Sequence, residues 1–355
     1  MTSDRVIVGD LRSSSTGTLQ PSHTHHQQHL GESLEHQQEQ QQQHRQQQQL
    51  SELAATARAG HVDHLVRCDH QVGGHKPEEG KGKPLFQQGA FVFKPLPVGD
   101  PRSFHELLFY ERIFDLKTPS TPGTAAIAHE MPLPRSEDVQ ELRLLVPKFA
   151  GVVLADDDSV EDLTKGNNSY LKMEDTSASF RKPCIADIKM GIQTWGENAS
   201  ESKIAKEREK YPPQQTLGFR VVGMKVYNAT TDVFQPYGRK FGLGLDESTV
   251  AQGCRTYLST DGGASIQREV LQLILVKLRA ILSWFERQRS FRFYGSSLLL
   301  TYEGAAQAGA PPAVDVRMID FAHVFPIVAS DNGSLGRDDG YIHGLTTLIR
   351  VLEQL

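Results

Sequence analysis

The sequence has little cysteine and no long apolar run, and both absences restrict what the protein can be. Its 355 residues include three cysteines, too few and too far apart for a disulfide framework or a zinc site: Cys68, Cys184 and Cys254. No apolar run approaches the roughly 18 residues that span a bilayer, and the N-terminus MTSDRVIVGD lacks the charged-then-apolar layout of a secretory signal. We therefore expect a soluble intracellular protein without a transmembrane segment.

Excess positive charge and the common nucleotide-binding loops are missing as well. The net charge of -5 argues against wholesale nucleic-acid binding, which usually requires a basic domain. There is no GxxxxGK[ST] loop, no GxGxxG loop and no HRD or DFG motif, which excludes a P-loop enzyme and an ordinary protein kinase. A polyanionic ligand would have to meet a local cluster of cations.

Composition divides the chain into a tail and a globular part. Residues 1–61 are rich in Gln, His and Ser and carry too little apolar surface to offset the entropy cost of ordering, so we predict a disordered tail. In the globular part, strands with one helix precede a mixture of strands and helices. This order favours an α+β protein with an N-lobe over 62–175 and a C-lobe over 176–355.

Apolar periodicity predicts the main elements. Strands are predicted in GAFVFKPL, NSYLKMED, PCIADIKMG and GFRVVGMKVYNA. Helices are predicted in PRSFHELLFYERIFDL, SESKIAKEREKY, ASIQREVLQLILVKLRAILSWFERQ and TTLIRVLEQL. SLLLTYE and AVDVRMIDFAHVF predict two adjacent antiparallel strands joined by a Gly/Ala/Pro turn.

Two acidic motifs could carry chemistry. Asp187 and Lys189 of DIKMG are two residues apart on a strand, so they share a face and could engage a phosphate and its metal; the alternative is a surface ion pair. In VRMIDFAHVF, the period of two puts Asp320 on the face of Val316 and Met318, where a carboxylate needs compensation such as Mg²⁺. His323 could donate to a substrate phosphate in the same cleft. The alternative is a carboxylate that caps a turn beside a packed histidine.

Two sets of basic residues are further candidates. Lys203, Lys206 and Lys210 lie at i, i+3 and i+7 of a predicted helix, so one face could hold several phosphates; the alternative is a solvated helix with Lys203–Glu207 pairing. Lys94 ends a strand before a helix with Glu106, an arrangement that phosphoryl-transfer enzymes use to hold ATP phosphates. Another glutamate, such as Glu111, could serve instead of Glu106.

Several ordered motifs together resemble one family. PCIADIKMG is similar to the PxxxDxKxG signature of the inositol polyphosphate kinases, and SSLLLTYEG and MIDFAH resemble that family's two later motifs. HQVGGH and GFRVVGMKVY are similar to further landmarks, and the resemblance runs from about residue 66 to the C-terminus. Among the branches of the family, the chain is most similar to the multikinases.

The resemblance implies a compact two-lobed kinase fold, an ATP-binding N-lobe and a catalytic C-lobe that binds inositol phosphate. Lys94 would hold ATP phosphates with Glu106 as its partner, and the segment from Glu174 to Thr176 would form the hinge that meets adenine. Asp187 would bind the ribose or act near the reaction centre. Asp320 would hold Mg²⁺ and would also be catalytic.

On the substrate side, the resemblance implies that Lys189 contacts the inositol and the transferred phosphate. Further ligands of the inositol phosphate would be Lys203, Lys206, Lys210, Lys225 and His323. The expected activity is Mg-ATP-dependent phosphorylation of soluble inositol phosphates, from inositol 1,4,5-trisphosphate to the tetrakis- and pentakisphosphates, by a monomer. The alternatives are a kinase for phosphoinositide lipid head groups and a catalytically inactive scaffold. Because the chain lacks a dense Lys/Arg run, it has no clear nuclear-import signal, and the sequence leaves the nucleus and the cytoplasm open.

Overall fold

The computed structural model of the chain describes residues 62, 65–73, 84–97, 100–114, 134–154, 169–197, 199–305, 309–329 and 336–355. The predicted disordered tail over 1–61 lies outside these residues. No helix in the described ranges is long and apolar enough to cross a membrane.

The first sheet has five antiparallel strands in the order β1-β2-β3-β5-β4. Side chains of β3 alternate between the two faces of this sheet. Phe93 is 1% exposed and packs in a small core with Phe86 and Tyr170, whereas Lys94 points to the opposite face, towards a cleft. The strands are β1 (Val66–Arg67), β2 (Phe86–Gln88), β3 (Phe91–Pro95), β4 (Phe149–Leu154) and β5 (Ser169–Glu174).

The second sheet also has five antiparallel strands, in the order β11-β10-β6-β7-β8. They are β6 (Pro183–Met190), β7 (Phe219–Asn228), β8 (Val233–Tyr237), β10 (Ser297–Glu303) and β11 (Val314–Ile319). In the central strand β6, Ala186 and Ile188 belong to the main apolar core, whereas Asp187 and Lys189 line the cleft on the other face. The short strands β9 (Phe291–Phe293) and β12 (Val324–Pro326) pair with each other.

Helices cover the core side of the second sheet. The longest helix in the described ranges has 20 residues and an apolar stripe that includes Leu271, Leu275 and Leu278. Its Phe285 ring stacks on Tyr341 of the last helix at 4.1 Å between centroids. The helices are α1 (Pro101–Phe114), α2 (Ser136–Leu145), α3 (Glu201–Lys210), α4 (Gln214–Leu217), α5 (Arg239–Leu243), α6 (Val250–Tyr257), α7 (Arg268–Arg287) and α8 (Asp339–Glu353).

The α+β class is confirmed, and so is the antiparallel pairing of SLLLTYE with the strand that follows it, which are β10 and β11. One prediction is wrong: AVDVRMIDFAHVF is not a single strand. Asp320 has a φ of 64°, in the left-handed region, and separates β11 from β12, which lies in another sheet. Asp320 therefore does not continue the apolar face of Val316 and Met318.

The last helix begins earlier than predicted, at Asp339. Asp338 caps this helix, because its side chain accepts a hydrogen bond from the N–H of Tyr341 at 3.1 Å. The predicted lobe boundary at residues 175 and 176 lies between β5 and β6 and stays a prediction.

Candidate active site

A cavity of about 650 Å³ lies between the two sheets. The first sheet contributes Lys94 and the segment that follows β5, and the second sheet contributes the polar face of β6. Most of the predicted site residues line this cavity: Lys94, Glu106, Glu174, Thr176, Asp187, Lys189, Lys210, Asp320 and His323. Residues far apart in sequence therefore meet in one cleft.

Lys94 bridges the two sides of the cleft. Its Nζ atom lies 2.8 Å from Glu106 Oε1 on α1 and 2.6 Å from Asp320 Oδ1, which follows β11. Burial opposes the charge of Lys94, but Asp320 and Glu106 outweigh it and raise the pKa of Lys94. Burial raises the pKa of Glu106, whereas Lys94 lowers that of Asp320. Glu106 Oε2 also lies 2.8 Å from Nζ, so three carboxylate oxygens surround the Lys94 ammonium.

Asp187 is a buried carboxylate with an unsatisfied oxygen. The residue is 4% exposed, and its Oδ1 atom has no hydrogen-bond partner in the described part of the chain. Burial and the nearby charge of Asp320 raise its pKa to about 6, although the hydroxyl of Ser297 favours the ionised form. A buried acceptor without a partner is costly and marks a place for a ligand group.

Lys189 and Arg220 lie side by side on neighbouring strands. The register pairs Lys189 of β6 with Arg220 of β7, and both line the cleft. Lys189 Nζ donates to the Gly295 carbonyl at 2.5 Å, whereas Arg220 is 7% exposed and has no ion-pair partner among the described residues. Burial lowers the pKa of both groups. Lys189 is only partly buried, and nearby carboxylates, Asp187 among them, partly offset the burial of both cations. A polyanion would add to that compensation.

Arg220 was missed by the sequence reasoning. A signal was present, because the residue belongs to GFRVVGMKVY, the strand that resembles a family landmark. Its direction depends on a bulge between the Asp187 and Ile188 pairs of β6 and β7, which strand periodicity does not reveal. Two more cations that line the cleft were also missed, Arg102 on α1 and Arg239 on α5.

His323 lines the cleft among basic side chains. Burial, and then the neighbouring His105 and Lys189, lower the pKa of His323 to about 4. The imidazole is therefore neutral near pH 7 and has one N–H donor. Lys203 is close enough to contribute to this effect, although it does not line the cavity.

The other predicted lysines are placed differently. Lys210 lines the cavity and lies 3.4 Å from Glu207, whereas Lys206 is exposed on α3 and does not line it. The Lys225 ammonium donates to the Asp69 carbonyl at 2.9 Å and lies over the Phe234 ring. For Lys203, Lys206 and Lys225, contact with a substrate stays a prediction.

The predicted hinge lies at the end of the cleft where β5 stops. Glu174, Asp175 and Thr176 line the cavity. The N–H groups of Glu174 and Asp175 are fixed by the carbonyls of Lys148 and Ala90, both at 2.9 Å. The segment is therefore a rigid backbone edge, which could meet the rim of a planar base.

The cleft has the chemistry of a site for a divalent cation shared with phosphates. The carboxylate of Asp320 is 44% exposed and faces the cleft, and Asp187 lines the same cleft. In the described ranges, no cluster of three or more His, Cys, Asp or Glu side chains could hold a metal ion. Mg²⁺ fits such a place, since it takes one or two carboxylates and completes its shell with phosphates and water.

Comparison with known proteins assigns the family. Residues 170–353, more than half of the chain, match the family described as inositol polyphosphate kinase. The chain belongs to this family. It is 33% identical to inositol polyphosphate multikinase of Mus musculus over 250 residues, which cover 70% of this chain and 57% of the relative. It is 34% identical to inositol hexakisphosphate kinase 1 of Mus musculus over 224 residues, which cover 52% of this chain and 51% of the relative. The chain thus spans little more than half the length of these relatives.

A solved structure supports the fold of this family member. The crystal structure of inositol phosphate multikinase Ipk2 from S. cerevisiae, in complex with ADP and Mn²⁺, is 22% identical. The match has a TM-score of 0.52 and covers 75% of this chain and 99% of that chain. The two-lobed fold of the inositol polyphosphate kinases is therefore confirmed.

Proposed function

We propose that this protein transfers the γ-phosphoryl group of ATP to a hydroxyl group of a soluble inositol phosphate, with Mg²⁺ as cofactor. The observation that carries this proposal is the distribution of charge across the cleft. The Lys94, Glu106 and Asp320 cluster joins the two sides, and the wall formed by the second sheet holds the adjacent cations Lys189 and Arg220. Such a cleft suits a nucleotide on one side and a polyanionic acceptor on the other.

The nucleotide would occupy the side of the first sheet. The backbone of Glu174 to Thr176 would meet adenine, and Asp187 would accept a hydrogen bond from the ribose or from a group near the reaction centre. Lys94, held between two carboxylates at the cleft, would contact a phosphate oxygen. Asp320 would hold the Mg²⁺, which supplies positive charge to the nucleotide phosphates. The ADP and Mn²⁺ present in the yeast relative's structure support this assignment.

The inositol phosphate would occupy the side of the second sheet. Four cations line the cleft near this wall: Lys189, Lys210, Arg220 and Arg239. Arginine forms two parallel hydrogen bonds with a phosphate, and lysine acts as a point charge. The neutral imidazole of His323 would donate one hydrogen bond to a substrate phosphate, and Lys203 lies beside it. The phosphates already present would then decide which hydroxyl faces the nucleotide.

Positioning and charge neutralisation would supply most of the rate enhancement. Phosphoryl transfer involves little covalent chemistry by the protein and proceeds with the attacking and leaving oxygens in line. Lys189 would neutralise charge on the transferred group, since only a carbonyl, that of Gly295, occupies its ammonium in the described part of the chain. Asp187, buried and near Lys189, would orient the reactants.

The substrates we propose are inositol 1,4,5-trisphosphate and its tetrakisphosphate products. Relatives named multikinase and hexakisphosphate kinase match the chain with similar identity, so the family alone does not fix the substrate. The head group of a phosphoinositide lipid carries the same phosphates, which makes lipid phosphorylation the second candidate.

Removal of Lys189 tests the proposed chemistry. We expect Lys189→Ala to lower kcat by about 100- to 1000-fold, the usual loss when one transition-state donor is removed, with the fold intact. Lys277→Ala is the matched control, because Lys277 pairs with Asp315 at 3.3 Å and does not line the cleft. Transfer of labelled phosphate from ATP would be measured with a soluble inositol trisphosphate and with vesicles containing phosphatidylinositol bisphosphate. Near-normal turnover by Lys189→Ala would refute its role, and label only in the lipid would select the second candidate.

A further inference from the structure

The chain segment from Cys68 to Gly73, here called the strap, crosses from the first sheet to the second. It follows β1 and remains attached to the first sheet, since the N–H of Cys68 donates to the Leu85 carbonyl at 2.8 Å. One residue further, the carbonyl of Asp69 accepts a hydrogen bond from Lys225 of β7 in the second sheet at 2.9 Å. The strap is therefore a further link between the sheets, in addition to the connection of β5 to β6 and the Lys94–Asp320 pair.

Two glycines allow the strap to pack closely against β7 and against Asp187. A methyl group at Gly223 of β7 would lie 2.1 Å from the Val72 carbonyl oxygen. A methyl group at Gly73 would lie 1.6 Å from Asp187 Oδ2 and 2.7 Å from its Cγ. Real contacts of this kind are longer, so neither position has room for a side chain. Gly223 is also the residue that pairs with Asp187 across β6 and β7, next to the bulge.

The side chain of Gln71 fixes the shape of the strap. Its Oε1 atom accepts a hydrogen bond from the N–H of Leu85 at 3.0 Å, and its Nε2 atom donates to the Gly73 carbonyl at 3.3 Å. One amide thus joins the first sheet to the residue that covers Asp187. Gln71, Val72 and Gly73 all line the cavity.

We propose that the strap positions the Asp187 carboxylate for the nucleotide, with Gly73, Gly223 and Gln71 as positioning residues that act through Asp187. The proposal rests on the proposed function in one respect, that Asp187 contacts the nucleotide. The strap covers Oδ2 from one side. Because the strap is anchored in both sheets, it also couples the orientation of Asp187 to the spacing of the two sheets.

A double-mutant cycle with nucleotide binding as readout tests this proposal. Affinity for MgADP would be measured by calorimetry for the full chain, for Gly73→Ala, for Asp187→Ala and for the double variant. We expect Gly73→Ala to weaken binding by about tenfold in the native background, because the added methyl group displaces the carboxylate. In the Asp187→Ala background the atoms that the methyl group would overlap are gone, so we expect a change of less than about twofold.

Further variants separate positioning from a general loss of structure. Gly238→Ala is the control, because nothing lies within 4 Å of a methyl group there and its φ of -88° suits alanine. Gln71→Ala releases the strap without added bulk and should weaken MgADP binding in the same direction. If Gly73→Ala does not fold, Gln71→Ala in the same cycle with Asp187→Ala takes its place.

The outcomes are distinct. Equal losses from Gly73→Ala with and without the Asp187 carboxylate would overturn the proposal, as would unchanged affinity in the native background. The binding experiment contains no inositol phosphate, so its result does not depend on the acceptor. A protein that binds MgADP but phosphorylates no inositol phosphate would refute the proposed function and leave this test valid.

Discussion

At the scale of single residues, Asp187 lines the cleft with a buried carboxylate, and the burial of its charge costs stability. An ordinary aspartate titrates near 3.8, whereas burial and Asp320 raise the pKa of Asp187 to about 6. Between pH 3.8 and about 6, the folded state therefore keeps a proton on Asp187 that the unfolded state has released. The free energy of unfolding contributed by this group rises as the pH falls through that range. A buried charge that costs stability is typical of functional sites.

This shift predicts how Asp187→Asn changes stability with pH. At pH 7.5 we expect the variant to be more stable than the wild type by about 1 to 3 kcal/mol, because it lacks the ionised carboxylate. The difference should shrink as the pH falls through about 6, since the wild-type carboxyl group then takes up a proton. Urea unfolding at pH 7.5 and pH 5 measures it. A stability difference that is constant with pH would contradict the assigned pKa.

Arg220 is the residue that most directly links the cleft to a polyanion. It is nearly buried and lies across the strand pair from Lys189. It forms no ion pair with a described residue, although Glu207 and Asp187 lie near enough to favour its charge. We expect Arg220→Gln to raise the KM for inositol trisphosphate by about 10- to 100-fold, the cost of one charged hydrogen-bonded contact, with a smaller change in kcat. The KM for ATP should stay nearly constant.

Steady-state kinetics with each substrate varied in turn would check this split. Arg350→Gln, an exposed position on α8, is the control. An equal loss of affinity for ATP and for the inositol phosphate would place Arg220 outside the proposed acceptor site.

At the scale of elements, α8 supports the turn that follows β6. A methyl group at Gly344 of α8 would lie 2.1 Å from the Gly218 carbonyl oxygen. The same carbonyl accepts the N–H of Gly191 at 2.8 Å, directly after β6. Close packing of the helix backbone therefore fixes the end of the strand that carries Asp187 and Lys189.

We expect Gly344→Ala to destabilise the fold by about 1 to 3 kcal/mol, because the added carbon meets backbone atoms that cannot rotate away. Gly340→Ala in the same helix is the matched control, since its nearest neighbour would lie 3.6 Å away. Thermal or urea unfolding of both variants gives the comparison. Equal stability of the two variants would show that this close approach does not support the turn.

The apolar periodicity of the sequence was enough to predict most helices and strands. It failed where the backbone departs from regular strand geometry. The strand with Asp187 and Lys189 was predictable because its side chains alternate strictly between core and cleft. The break at Asp320 was not, since a left-handed residue does not interrupt the apolar pattern around it. Arg220 was missed for the same reason, as a bulge controls the register of its strand. The cleft itself required contacts over long distances, such as Lys94 with Asp320, 226 residues apart.

At the scale of the whole molecule, the chain has a net charge of -5, yet several basic side chains line one wall of the cleft. In the proposed function, the first sheet would offer the nucleotide side and the second sheet the acceptor side. The Lys94–Asp320 pair joins the two sheets, with Nζ 2.6 Å from Oδ1. An acceptor held by several cations should bind in a salt-dependent way, because mobile ions screen exposed charges. This arrangement accounts for an acceptor with several phosphates better than for a neutral one.

The most direct test of the account is the product series formed from one substrate. Purified protein would be incubated with Mg-ATP and inositol 1,4,5-trisphosphate, and the products would be separated by anion exchange, with Asp320→Asn as the inactive control. The account predicts that a tetrakisphosphate and then a pentakisphosphate appear in sequence, and that neither forms with the control. A wild-type protein that binds MgADP but yields no phosphorylated inositol product would contradict it.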